Sequence, residues 1–298
     1  MMRLKLDETA LDLFARQPTR SFSTGVCFLD AVTVKQGREE AGFRPRQVVE
    51  LCGDRDTPRS QVLEQVVAAF VTKSCKISER PPKERVFIFD HECKVSATRL
   101  AALVGSKLAS SKREDAVHEA LSRVETCYCR DSFQWLATLN HIHFQLLQAS
   151  PAPLLLVFNC VGSFHAIDKM TAKSVGGGLA LSEQVFILLK QFIRHHSPII
   201  FAVKETAKSS RTPWENAEYL PSSWTSQVSK RILLRIPPPS RLSLASFKKD
   251  TESGIDHEGS SDGIQFEAKC IIGGQSFSLI QFVVSTISNS MDMTPDKL

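Results

Sequence analysis

The stretch that most constrains the fold runs from Gln47 to Ser74. An apolar run, Gln47-Val48-Val49-Glu50-Leu51-Cys52, leads into Gly53-Asp54-Arg55-Asp56-Thr57-Pro58-Arg59-Ser60, and a segment of helical period follows to Ser74. Strand, glycine-led loop and helix in this order have the frame of the phosphate-binding loop G-x-x-x-x-G-K-[ST]. The ligands are altered: Pro58 stands for the second glycine and Arg59 for the lysine, while Ser60 remains. In a working loop, backbone N–H groups and a lysine ammonium hold the phosphates. Pro58 has no N–H and fixes φ at about −65°. Arg59 is cationic, but a planar guanidinium does not replace a compact ammonium. Asp54 and Asp56 add negative charge where a polyphosphate would lie. The loop also reads as a plain helix start, with Thr57 as N-cap and Pro58 at the first helical position.

The frame repeats along the chain. Val48–Cys52, Val86–Phe89, Leu154–Phe158 and Pro198–Val203 are short, nearly continuous apolar runs, as expected for strands buried on both faces of a parallel sheet. Between them, Arg59–Cys75, Asp131–Ala149 and Ser182–His195 carry apolar stripes at helical spacing. This alternation predicts a doubly wound α/β domain. Beyond it, Arg231–Ile236 reads as a strand stopped by Pro237-Pro238-Pro239, and residues 237–263 as a polar, mobile loop. Ile264–Ile272 and Phe277–Val284, around Gly273-Gly274-Gln275-Ser276, read as a terminal antiparallel hairpin.

Composition excludes several alternatives. A length of 298 residues suits one large core, and a net charge of +5 permits nucleic-acid contact without requiring it. No apolar run reaches the roughly 20 residues of a membrane span, and Met1–Ala10 lacks the apolar centre of a secretory signal. Eight scattered cysteines suit a reducing, intracellular setting. Cys127-Tyr128-Cys129 lacks the spacing of a zinc knuckle, and no metal site is expected. His195-His196 ends a helix, and His141 and His143 do not share a helix face, so all four read as structural.

Several signatures fall in a characteristic order. Ser23-Thr24-Gly25 with Leu29-Asp30 precedes Gly42-Phe43-Arg44-Pro45-Arg46, then Val49-Glu50-Leu51-Cys52-Gly53 and the altered loop, then Phe89-Asp90-His91-Glu92. Later come Phe158-Asn159-Cys160-Val161-Gly162-Ser163-Phe164 with Ile167-Asp168, and Tyr219-Leu220-Pro221 with Trp224, Val228, Lys230 and Arg231. Over roughly residues 20–236 this order resembles the core of RecA-type eukaryotic recombinase paralogues. It is most similar to the branch of the second X-ray-repair cross-complementing protein, which has almost no N-terminal domain. The resemblance implies a RecA-like P-loop core with a mostly parallel central sheet, helices on both faces and a C-terminal antiparallel β-hairpin. The expected division is an N-terminal segment 1–22 available to a partner, a core 23–236, a loop 237–263, and a hairpin and tail 264–298.

Against that family, the phosphate position has lost its chemistry. Gly53, Arg59, Ser60, Glu92 and Asn159 form a degenerate nucleotide site. Asn159 replaces the Walker B aspartate, Glu92 falls at the family's general base, and Lys204-Glu205-Thr206 replaces the amide that senses the terminal phosphate. The expectation is a chain with no catalytic residues and without ATP or magnesium as cofactor. The family's single-strand-binding loops correspond to Asp168–Leu179, with Lys169, Lys173 and Gly176-Gly177-Gly178, and to residues 208–224, with Lys208, Arg211 and Trp214. The resemblance further implies a nuclear subunit of double-strand break repair by homologous recombination. Its expected partners are another recombinase paralogue, the recombinase filament and single-stranded DNA, with no membrane. Leu6, Leu11, Leu13, Phe14 and Phe22 are candidate partner contacts. The alternatives are a DNA-dependent ATPase using Arg59, Ser60 and Glu92, and a small-molecule kinase on a P-loop fold.

Overall fold

A computed structural model of the chain describes residues 21–31, 33, 42–54, 56–73, 84–108, 113–206, 218–236, 263–272 and 275–285. Lys208, Arg211, Trp214, the polar loop 237–262 and the N-terminal positions Leu6, Leu11, Leu13 and Phe14 lie outside them.

The first half of the fold follows the expected alternation. A short helix α1 (Cys27–Ala31) precedes strand β1 (Val48–Gly53), helix α2 (Arg59–Lys73) and strand β2 (Arg85–Asp90). Helices α3 (Ala97–Lys107) and α4 (Arg113–Leu121) lead to β3 (Val124–Cys127), followed by α5 (Ser132–Gln148) and β4 (Leu154–Asn159). Then come α6 (His165–Ser174), α7 (Leu181–His196), β5 (Ile199–Glu205), α8 (Ser222–Thr225), β6 (Lys230–Arg235) and the hairpin β7 (Gly263–Ile272) and β8 (Gln275–Ser285). The eight strands form one sheet in the order β3-β2-β4-β5-β1-β6-β7-β8. Pairing is parallel from β3 through β6. It is antiparallel from β6 to β8, so the terminal hairpin extends the central sheet.

Alternation along each strand divides the core in two. Val49, Leu51, Val86, Ile88, Leu155, Val157, Phe201 and Val203 face α2, α3 and α4. Val48, Phe87, Phe89, Leu154, Leu156, Phe158, Ile200 and Ala202 face α5, α7 and α8. Helices therefore cover both faces, as the apolar runs required. Phe22 belongs to the first core, edge-on to Phe70 at 5.1 Å. It covers the chain's own interior, which corrects the reading of Phe22 as a partner contact.

Two early motifs serve the backbone. The Asp30 carboxylate accepts from Ser23 Oγ at 2.7 Å, Thr24 N at 2.8 Å, Thr24 Oγ1 at 2.9 Å and Gly25 N at 2.8 Å, which ties the Ser-Thr-Gly turn to α1. Buried Glu64 on α2 takes the Ser96 N–H at 2.9 Å and the Arg99 Nη2 at 2.6 Å, which fastens the start of α3 to α2.

On the second face, β1 buries a charge. Glu50 is fully enclosed and accepts from Trp224 Nε1 at 2.6 Å and from Arg231 Nε. Lys204, also fully enclosed, lies 4.0 Å from Glu50 and 2.6 Å from Glu218, which in turn takes Arg231 Nη2 at 2.6 Å. Two cations and two carboxylates thus close a square across β1, β5 and β6. Removing one corner strands a partner in low dielectric. Lys204→Met should cost about 3 kcal/mol in urea denaturation; a loss under about 1 kcal/mol would show that the square is not holding the charge.

Candidate functional site

The parallel strands bring their C-terminal ends together at the loop after β1, the expected place for a ligand in such a sheet. Gly53 pairs with Glu205 across β1 and β5, and Asp90 pairs with Asn159 across β2 and β4. A Cβ on Gly53 would collide with Thr57 Oγ1 and come within 3.0 Å of the Leu234 carbonyl oxygen, so the tight turn needs glycine.

Helix α2 begins one residue later than expected. The Pro58 carbonyl accepts the first helical bond, from Val62 N at 2.9 Å, and the Thr57 hydroxyl turns back to donate to the Asp54 carbonyl at 2.6 Å. Thr57 therefore closes the loop on itself, and Pro58 occupies the cap position. Asp54 is engaged as well, through the Thr206 hydroxyl, and Thr206 N donates to the Gly53 carbonyl at 3.2 Å.

The Arg59 guanidinium is turned inward. Arg59 is 3% exposed; its Nη1 donates to the Lys204 carbonyl at 3.2 Å, and its Nη2 lies 3.8 Å from Glu205 Oε1. The carboxylate expected to repel a terminal phosphate instead neutralises Arg59. Lys204 points to the opposite face, into the square of charges.

Ser60 and Asn159 meet. The Ser60 hydroxyl donates to Asn159 Oδ1 at 3.2 Å, and Asn159 Nδ2 donates to Asp90 Oδ1 at 2.8 Å. Asp90 also takes the backbone N–H groups of Lys94 at 3.2 Å and Val95 at 2.9 Å. Ser60, Asn159 and Asp90 form one closed chain of hydrogen bonds in which the buried amide separates a hydroxyl from a carboxylate. Asp90 is the residue the sequence reading passed over in favour of Glu92. Its signal was a carboxylate ending an otherwise apolar strand.

Glu92 is apart from this chain. It pairs with Lys94 Nζ at 2.5 Å and lies beside the Cys160 thiol, which burial, reinforced by Glu92, pushes up to about 11. Cys160 takes a left-handed backbone, φ 71°, directly after Asn159. Its carbonyl accepts from His91 Nδ1 at 3.3 Å, and the His91 ring packs against Trp135 at 4.6 Å and Phe164 at 4.9 Å. Burial drives His91 down to about 4, so the ring is neutral. Nearby, Tyr219 fills the space over Gly162, where a Cβ would clash with the phenol, and it stacks under the Lys204 ammonium at 5.1 Å.

Of the nucleic-acid candidates, Lys169 and Lys173 are exposed, but on α6 and not on a loop. Asp168 anchors that helix by accepting from Ser132 Oγ at 2.6 Å and Ser182 N at 3.0 Å. The spacing Ile167-Asp168-Lys169-Met170-Thr171-Ala172 sustains a helix until Gly176 and Gly177, at φ +104° and +87°, end it. Among the histidines, His143 Nδ1 lies 2.7 Å from His196 Nε2, joining α5 to α7, and His141 contacts Gln145 at 3.0 Å.

No family model matches the chain. A stretch of 205 residues is 24% identical to DNA repair protein XRCC2 of Mus musculus, covering 62% of this chain and 71% of that protein. The chain is similar to a RecA-type recombinase paralogue. This is the branch to which the order of motifs pointed, and the RecA-like sheet agrees with it.

His91 makes the site's stability depend on pH. Its unfolded value is near 6.5 and its folded value about 4, so between those limits the unfolded chain binds a proton that the folded chain excludes. Stability is therefore expected to fall as pH drops from 6.5 toward 4. His91→Phe should lessen the fall of the urea midpoint between pH 7 and 5, leaving the part due to His196, which burial also drives down to about 4; an unchanged slope would refute the assignment.

Proposed function

We propose that this chain is a non-catalytic RecA-fold subunit acting in double-strand break repair by homologous recombination in the nucleus. In this role it pairs with another recombinase paralogue and assists the recombinase filament on single-stranded DNA. The similarity to a DNA repair protein supports the setting. The observation that carries the non-catalytic reading is Arg59, buried and held by the Lys204 carbonyl and Glu205 where a phosphate-binding ammonium would stand free.

The neighbouring groups support the same reading. Pro58 offers no N–H, and Ser60 and Asp90 are spent on Asn159. These residues fit a magnesium nucleotide poorly: Ser60, Asp90 and the two terminal nitrogens of Arg59 have internal partners, and only the buried Arg59 Nε among the Arg59 nitrogens has none. Equilibrium binding of labelled ATP to the purified chain should show no saturation at about 1 mM. Micromolar binding with magnesium-dependent hydrolysis, lost in Glu92→Gln, would establish the DNA-dependent ATPase reading instead. A P-loop kinase reading has no substrate-binding group in its favour among the described residues.

Contact with single-stranded DNA rests on Lys169 and Lys173, one turn apart and exposed on α6. If each neutralises one phosphate, the double variant Lys169→Ala/Lys173→Ala lowers the slope of log affinity against log salt by about 1.4 on oligo-dT. An unchanged slope would remove this helix from the DNA path. The same slope measured on Lys208→Ala and Arg211→Ala, and a loss of affinity at unchanged slope for Trp214→Ala, assign the second segment.

A further inference from the structure

Three imidazoles meet where helices α5 and α7 end. Helix α5 leads into β4 and α7 into β5, and these strands are parallel neighbours, so both helices end at one pole of the sheet. His143 lies toward the end of α5, and His195 and His196 close α7. His143 Nδ1 is 2.7 Å from His196 Nε2, so two ring nitrogens point into the same space. The centroids of these two rings are 4.9 Å apart, and His195 lies 5.6 Å from His143 and 6.4 Å from His196. Imidazoles bound through nitrogen at about 2.05 Å to a tetrahedral ion have centroids about 5 Å apart. The His143–His196 pair already has that spacing. His195 is exposed and needs to swing inward by about 1 Å to match it. Without that movement no three donors surround one point among the described residues.

The side-chain donors at this corner are nitrogens. Helix α5 has no Asp or Glu, and the acid of α7, Glu183, stands in its first turn at the opposite end. Calcium and magnesium require several oxygen ligands, whereas imidazole suits zinc, nickel and copper. Burial lowers His143 from its ordinary value and drives His196 down to about 4. Both rings are therefore neutral at pH 7, the form that binds metal. In their mutual contact one ring donates its N–H to the other. On binding an ion, that ring shifts its proton to its other nitrogen, and both lone pairs face the metal. The C-termini of two helices converge here, and their partial negative charge favours a cation. Arg46 also reaches this end, but its guanidinium is engaged by Ser197 Oγ at 2.9 Å and the Arg194 carbonyl at 3.3 Å. The Arg194 side chain is exposed to water.

We propose that the joint between α5 and α7 binds a divalent late transition metal through His143 Nδ1, His196 Nε2 and the His195 imidazole, with water completing the shell. Three imidazoles and one water make a full tetrahedral set. The ion ties two helices whose histidines are 53 residues apart in the chain. That separation is why neither the His141/His143 spacing nor the His195-His196 pair signals the site on its own helix.

Zinc is the probe. Titration of the metal-free full chain with zinc chloride against a chromophoric chelator should show one saturable site per chain. Its dissociation constant is expected on the order of micromolar, weaker than the closed four-ligand site of a zinc finger. His143→Gln, His195→Gln and His196→Gln should each weaken binding at least about tenfold, while His141→Gln leaves it unchanged. Glutamine keeps a hydrogen-bonding end, so the zinc-free melts of His143→Gln and His196→Gln should stay near that of the unaltered chain. What these variants lose is the rise in melting temperature on adding zinc. Cobalt in place of zinc reads the donors, since an imidazole site gives d–d absorption without sulfur-to-cobalt charge transfer. No saturable site, an affinity indifferent to any one of the three histidines, or a cobalt spectrum with thiolate charge transfer overturns the proposal.

Discussion

A carboxylate enclosed in the central strand sets terms for everything around it. Glu50 lies between β5 and β6 in the middle of the sheet, with no exposure. An isolated charge there costs several kcal/mol, so its neighbours must neutralise it. Lys204 on β5, Arg231 on β6 and the indole of Trp224 do so, and Glu218 balances the surplus positive charge. This requirement fixes the register of three strands and brings residues 218–224 down onto the second face. It also accounts for the direction of Lys204, whose backbone carbonyl then faces the other way and receives Arg59.

The same economy governs the strand ends. The side chains of the loop after β1 turn inward, although the buried Arg59 Nε has no hydrogen-bond partner. Thr57 returns to Asp54, Arg59 reaches Glu205, and Ser60 joins Asn159 and Asp90. Asn159 is central to this arrangement. An amide donates to one neighbour and accepts from the other, which a carboxylate beside Asp90 does not do without holding a proton. Arg59 and Glu205 meet each other, whereas Asn159 is held between Ser60 and Asp90.

Much of the architecture was legible in the pattern of apolar runs. The strands now labelled β1, β2, β4, β5 and β6, and the helices α2, α5 and α7, fall within one or two residues of their expected bounds, since each buries continuous apolar sequence. Strand β3 was not legible: Val124-Glu125-Thr126-Cys127 is short, half-exposed and at the sheet edge. Helix α6 was taken for a loop because its buried side is polar, with His165 and Asp168 holding it to Ser182 and Ser132. Hydrophobic periodicity does not report a helix anchored by hydrogen bonds.

The local order of residues determined the doubly wound sheet and the glycine-led turn at Gly53, and it set an arginine at position 59 and an asparagine at position 159. These follow from side-chain chemistry and periodicity within a few turns of chain. Only the tertiary structure decided what those residues meet. Arg59 meets residues 204 and 205, Asn159 meets residues 60 and 90, and Glu50 meets residues 224 and 231. Such pairings depend on which strands lie side by side, and strand order is set by packing over the whole chain and not by any segment of it.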